Sequence, residues 1–181
     1  MARVRLHEEH DLPAPMATLF REIAGRRKGV PNLHKALAGS PGLFEPRLGY
    51  SNALRSQTRL DRHARELAIM VVATLTHAEY EFVHHWQPAI EAGVTAEQIE
   101  AIAQGSDAAL FDTKDQAIID LAREMTLNIR VSDSVWAAAA AVFDEQEMIE
   151  LVLTIGWYNQ TSRVLMALQI PLEEDYRSSN G

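Results

Sequence analysis

From Ala64 to Leu75 almost every position is apolar, and Glu66, beside Arg65, is the only acid in the run. A helix that is hydrophobic on all sides belongs in a core, and a carboxylate inside such a helix has to be paired or protonated. The pattern breaks just beyond it. Thr76-His77-Ala78-Glu79 reads as a capping box, with Thr76 accepting from a first-turn amide and Glu79 reaching back. This predicts a second helix from His77 to about Ala92, closed by Gly93 as a left-handed cap. On that helix His77, Glu81 and His85 recur at i, i+4 and i+8 and share a face, with Tyr80 and His84 on the neighbouring stripe.

The remaining periodicity is helical throughout. Pro15, Leu19 and Ile23 predict an amphipathic helix over Pro13 to Arg27, and Val30 to Ala38 a short second one. Pro41 to Ser56 reads as a third, with Leu43, Phe44, Leu48 and Leu54 inward. Capping boxes at Thr95–Gln98 and Thr113–Gln116 open two more helices, the latter with Ile118, Leu121, Ala122, Met125 and Ile129 on one side. Ser132 or Asp133 caps an alanine-rich segment to Phe143 in which Trp136 reads as core packing. The last helix runs from about Asp144 to Leu168, its first turn carrying Glu145 and Glu147, and Pro171 ends it. No stretch alternates with period two and no hairpin turn pair sits between apolar runs, so the chain is expected to be all-α.

The 181 residues contain no Pro/Gly/Ser-rich linker, which favours one compact domain: an N-terminal helical extension over 1–59, a core over 60–172 and a flexible tail over 173–181. Absence of cysteine excludes disulfides, thiolate zinc sites and thiol redox catalysis. A formal charge of −8 argues against a nucleic-acid surface. The one basic cluster, Arg26-Arg27-Lys28, is short and suits a helix end. Glu8, Glu9 and Asp11 precede any apolar run, unlike a signal or transit peptide. The longest strictly apolar run, Leu67 to Ala73, is too short to span a bilayer. A cytoplasmic protein with no membrane or nucleic-acid partner is expected.

The stretch RELAIMVVATLTHAEYEFVHHWQPAIEAGVTAEQIEAI resembles the carboxymuconolactone decarboxylase family, which includes the alkylhydroperoxidase D proteins. The likeness lies in Glu66 inside one helix, the turn at Thr76, His85 on the next helix, the Ala92-Gly93 helix end and the cap at Thr95. LVLTIGWYNQTSRVLMALQIPL extends it, so it covers roughly Leu60 to Leu172. The resemblance implies an alkylhydroperoxidase D-like bundle of about eight helices. The family's peroxidase branch carries Cys-x-x-Cys at the start of the second helix, where this chain has Ala78 and Glu81. Neither side chain attacks a hydroperoxide, so the cysteine-free decarboxylase branch is the one resembled.

Decarboxylation of an unsaturated lactone that bears a carboxylate beside the ring oxygen requires no cofactor. It requires desolvation of the carboxylate, donors for the developing oxyanion and a positioned acid. The resemblance makes Glu66, Glu81 and His85 the catalytic candidates, with His85 as acid and Glu81 or Glu66 holding its tautomer. His77, Tyr80, His84, Trp86, Trp157, Tyr158 and Asn159 are the candidates for walls and donors of the substrate site. Plainer readings stand beside these. Glu66 is equally a core acid paired with Arg65 or Arg163, Glu81–His85 an ordinary i, i+4 pair, and Trp157 and Tyr158 structural. The alternative to a lyase is a non-catalytic helical oligomer that binds a small ligand or a partner protein, and a metal on His77, Glu81 and His85 is a third reading that lacks an HExxH pair. A small-molecule substrate is expected, and family resemblance implies a homo-oligomer (trimer, hexamer or dimer).

Overall fold

The computed structural model describes residues 2–26, 29–104 and 108–177, so Arg27 and Lys28 of the basic cluster and the last four residues of the expected tail lie outside the described residues. The described residues form α1 (Ala14–Arg26), α2 (Asn32–Leu37), α3 (Pro41–Ser56), α4 (Arg62–Leu75), α5 (Glu79–Glu91), α6 (Ala96–Gln104), α7 (Thr113–Leu127), α8 (Asp133–Ala140), α9 (Glu145–Leu168) and α10 (Glu174–Arg177), with 3-10 turns at Glu9–Asp11 and Ala108–Leu110. There is no strand among them, and eight of the helices have seven or more residues. The fold is all-α, as the periodicity predicts.

By internal contacts the chain divides into two compact units, residues 1–52 with 165–181, and residues 53–164. In the first, Met16, Phe20 and Ile23 of α1 meet Ala38 and Phe44, with Leu12, Leu19, Val30, Leu37 and Leu48 around them. Of the expected Pro15–Leu19–Ile23 stripe Ile23 is buried and Leu19 partly so, whereas Pro15 is exposed and Met16 and Phe20 turn inward in its place. Leu43, expected inside, is 69% exposed, since the face of α3 that meets this core is set by Phe44. Within this unit Arg3 N–H donates to Leu168 O at 2.8 Å, and Asn32 donates from its backbone to Glu173 and from its side chain to Pro171 O.

The second unit is built around α4. Leu67, Ile69, Met70, Val71 and Val72 are all essentially inaccessible, each contributing about 1.5–3 kcal/mol of apolar burial, and α5, α6 and α7 pack on this helix. Asp61 caps it by accepting from Ala64 N–H. Its far end corrects the expected capping box. Thr76 is the C-cap of α4, its hydroxyl donates to Val72 O at 2.7 Å, and His77 takes the left-handed conformation with φ of 52°. Ala78 N–H then bonds Ala73 O and His77 N–H bonds Thr74 O, the paired bonds of a Schellman ending. The helix-terminating demand of α4 consumes the residues that resemble a helix start, so α5 begins at Glu79 with Ala78 at its N-cap and no side-chain cap.

Other local signals hold. Thr95 and Gln98 exchange both bonds of a capping box, and Gly93 closes α5 at φ 92°. Asp144 and Glu147 form a further box at the start of α9, and Ser132 caps α8. The α7 cap is Asp112 rather than Thr113, its carboxylate accepting from Asp115 N–H at 2.8 Å. Gln169, left-handed at φ 52°, ends α9 two residues before Pro171. Trp136, expected in the core, is 47% exposed, because on α8 only Ala139 is buried.

Ile129 departs most from expectation. Instead of joining the inward face of α7 it lies beyond the C-cap Asn128 at φ 65°, 86% exposed. A β-branched residue in this region costs about 1–2 kcal/mol with almost no burial in this chain to offset it. Ile129→Gly is expected to raise stability by about 1 kcal/mol, read as an increase in the urea midpoint. A lower midpoint would mean that the isoleucine side chain has a partner.

Candidate active site

Glu66 sits in the middle of the α4 core face at 3% exposure. Its Oε2 lies 2.7 Å from Nδ1 of His85, which α5 carries back alongside α4. Its Oε1 lies 3.5 Å from Nε of Arg65, whose Nη1 donates to Arg55 O. Burial pushes the Glu66 carboxyl up, but the hydrogen bond from His85, that ring's charge and Arg65 outweigh it and hold the group below the usual glutamate range. Glu66 is therefore the acceptor, and Nδ1 of His85 the donor. This leaves Nε2 as the ring nitrogen that faces away from Glu66, and Glu81 Oε2 is 3.5 Å from it. Glu81 is itself buried in the first turn of α5, where the helix dipole favours a negative charge.

The third wall comes from α9. The Tyr158 ring meets the His85 ring edge-on, centroids 5.0 Å apart at 87°. Burial first, then the charge of Glu81, with Arg55 opposing and Glu66 adding, push its phenol well above the ordinary tyrosine value. Tyr158 is thus a hydrogen-bond donor rather than a base at any physiological pH.

Glu66, Glu81, His85 and Tyr158 form one cluster. Tyr80 and His84 form another contact, their rings stacked with centroids 4.4 Å apart, and Trp86 packs on Phe82. His77 is exposed in the turn before α5, so it does not share a helical face with Glu81 and His85, and that basis for a metal site is lost. Among the described residues no three His, Asp or Glu side chains are arranged to hold a metal ion. Trp157 is half-buried against the core. Asn159 donates to Thr126 Oγ1 and Ile155 O and accepts from Arg163. Sequence reasoning gave no role to Arg55, whose charge reaches Tyr158, and missed a second, partly buried pair. In that pair His63 Nε2 lies 2.8 Å from Asp115 Oδ1 and Nδ1 3.3 Å from Ala92 O. No spacing signal connects residues so far apart in the chain.

Two solved structures set the class of this fold as alkylhydroperoxidase D-like. An uncharacterized peroxidase-related protein from Silicibacter sp. TM1040 matches with a TM-score of 0.82 at 19% identity, over 97% of this chain and 93% of that one. The alkylhydroperoxidase AhpD core of a peroxidase-related protein from Ralstonia eutropha JMP134 matches with 0.82 at 16% identity, over 97% and 94%. The Bacillus subtilis (strain 168) protein YdfG is 24% identical over 114 residues, 62% of this chain and 78% of that protein. Residues 41–124, a little under half of the chain, match the carboxymuconolactone decarboxylase family. Glu66, Tyr80, Glu81 and His85 lie inside that segment, and Trp157, Tyr158 and Asn159 outside it.

Because the folded-state pKa of Glu66 is depressed, the stability it contributes is present above the unfolded glutamate value of about 4.3 and disappears as pH falls through the folded value. Acid titration of unfolding free energy should show this loss in wild type and a flatter profile in Glu66→Gln. Superimposable profiles would remove the ion pair as a stabilising contact. Glu66→Ala, which leaves His85 without its partner, is expected to cost about 3 kcal/mol at neutral pH.

Proposed function

We propose that this chain is a cofactor-independent lyase that removes carbon dioxide from a small carboxylated lactone. The observation that carries the reading is the buried Glu66–His85–Glu81 relay, in which one carboxylate orients the imidazole and the other faces its exchanging nitrogen. In the proposed step the bond between the ring carbon and its carboxylate breaks. The electron pair passes through the ring double bond toward the lactone carbonyl oxygen, and carbon dioxide leaves. As the pair returns from that oxygen to a ring carbon of the delocalised anion, a proton from Nε2 of His85 goes to that carbon, and Glu81 passes a proton back to the nitrogen. Tyr158 supplies a neutral donor beside the ring. With no cysteine anywhere in the chain, thiol peroxidase chemistry of the Cys-x-x-Cys kind has no nucleophile.

A homo-oligomer belongs to the same proposal. Leu127, Trp136, Ile149 and Leu153 are large apolar side chains left at the surface of the second unit, and surfaces of this kind favour association. A light-scattering mass near 20.2 kDa would overturn that part.

The test is carbon dioxide release and absorbance loss with 4-carboxymuconolactone. Wild type should turn over, and His85→Ala should lower kcat by about 10²–10⁴-fold, the usual worth of a positioned acid. Turnover unaffected in His85→Ala would exclude this relay as the acid. No turnover in wild type would remove this substrate and leave a small-ligand-binding protein as the reading to pursue.

A further inference from the structure

A buried hydroxyl on a helix ordinarily donates to the carbonyl four residues back, and Thr154 of α9 does so, to Glu150 O at 2.8 Å. Ser162, two turns further along, does not. It is 1% exposed and its Oγ has no hydrogen-bond partner. An unpaired buried hydroxyl is a standing cost to the fold that alanine would avoid. Thr74 Oγ1 and Gln116 Oε1 are also unpaired, and Ser162 lies one helical turn from Tyr158, whose ring meets that of His85.

Position supports a role for it. Ser162 follows Tyr158 by four residues, so the two share a face of α9. Side chains on a helix lean toward its N-terminus, which tips the serine hydroxyl toward the turn that carries Tyr158. Tyr158 in turn holds the His85 ring edge-on. The buried face of α9 therefore offers one hydroxyl beside the proton-handling histidine and another about 5–6 Å along the helix. In an unsaturated lactone the carbon to be protonated and the carbonyl oxygen that collects negative charge belong to the same small ring, so they call for a proton donor and a hydrogen-bond donor a short distance apart.

We infer that Ser162 is a ligand-binding residue whose hydroxyl donates to the lactone carbonyl oxygen of the bound small carboxylated ring. This rests on the lyase reading for the identity of the ligand, whereas the unpaired hydroxyl itself does not depend on that reading. Hydrogen bonding there strengthens as charge moves onto the oxygen, the behaviour of an oxyanion donor.

Two measurements on Ser162→Ala decide it. The first is thermal unfolding without ligand, where Tm should be equal to or above that of wild type, because no partner is lost. The second is calorimetric binding of 5-oxotetrahydrofuran-2-carboxylate, a saturated lactone acid with no ring double bond to receive the electron pair, which should bind wild type and weaken about tenfold in the variant. That outcome upholds the assignment whether or not 4-carboxymuconolactone is turned over, and turnover judges the lyase reading separately. A lower Tm in the variant, equal affinities, or no binding of the lactone acid to wild type would overturn it.

Discussion

An ionised carboxylate in the middle of a buried apolar helix is tolerable only when a donor reaches it, and in this protein one hydrogen bond meets that requirement. The Glu66 Oε2 to His85 Nδ1 contact of 2.7 Å sets where α5 must lie along α4, because the imidazole has to arrive opposite the acid. Desolvation of an unpaired carboxylate would cost several kcal/mol, comparable with a large part of the stability of a whole domain. Once the ring is fixed, Nε2 can point only where Glu81 stands, and Tyr158 closes the remaining side. The chemistry of the site thus follows from satisfying a core polar group.

The same cluster shows which side chains stand in this chain where thiols would stand in the peroxidase branch it resembles. At the two positions where the peroxidase branch has cysteines, Ala78 is almost fully buried at the N-cap of α5, and Glu81 lies one turn in with its carboxylate toward the histidine. A thiolate in the second place would be an electron donor, whereas a carboxylate there is a proton carrier.

The parts of the structure that were legible in the sequence are those set by neighbours within a turn or two. The α4 core run, the Thr95–Gln98 box, the Gly93 cap and the Asp144 start of α9 are all local. Thr76–Glu79 misled because a helix end and a helix start draw on the same small polar residues, and only the left-handed His77 reveals which is present. Leu43 and Trp136 show the limit of periodicity: it marks apolar positions, and tertiary packing decides which of them are covered. Within the site, Glu66, Glu81 and His85 were named from family pattern and the structure brings them together. Asn159 was named too, but its polar atoms are taken by Thr126, Ile155 and Arg163. Arg55 and the His63–Asp115 pair were invisible because their partners are remote in sequence.

The tight turn between α4 and α5 bears on how the site comes into being. Glu66 and His85 are only 19 residues apart, and the connection between their helices is the three residues Thr76–Ala78. Closing so short a segment costs little chain entropy, and contacts of low sequence separation form early along most folding routes. The Glu66–His85 pair therefore belongs to a helical hairpin that can assemble as a unit, while Tyr158 has to be delivered from a helix near the other end of the chain. Acid and histidine are a local invention of one hairpin, and the tyrosine that encloses them arrives with the long-range topology.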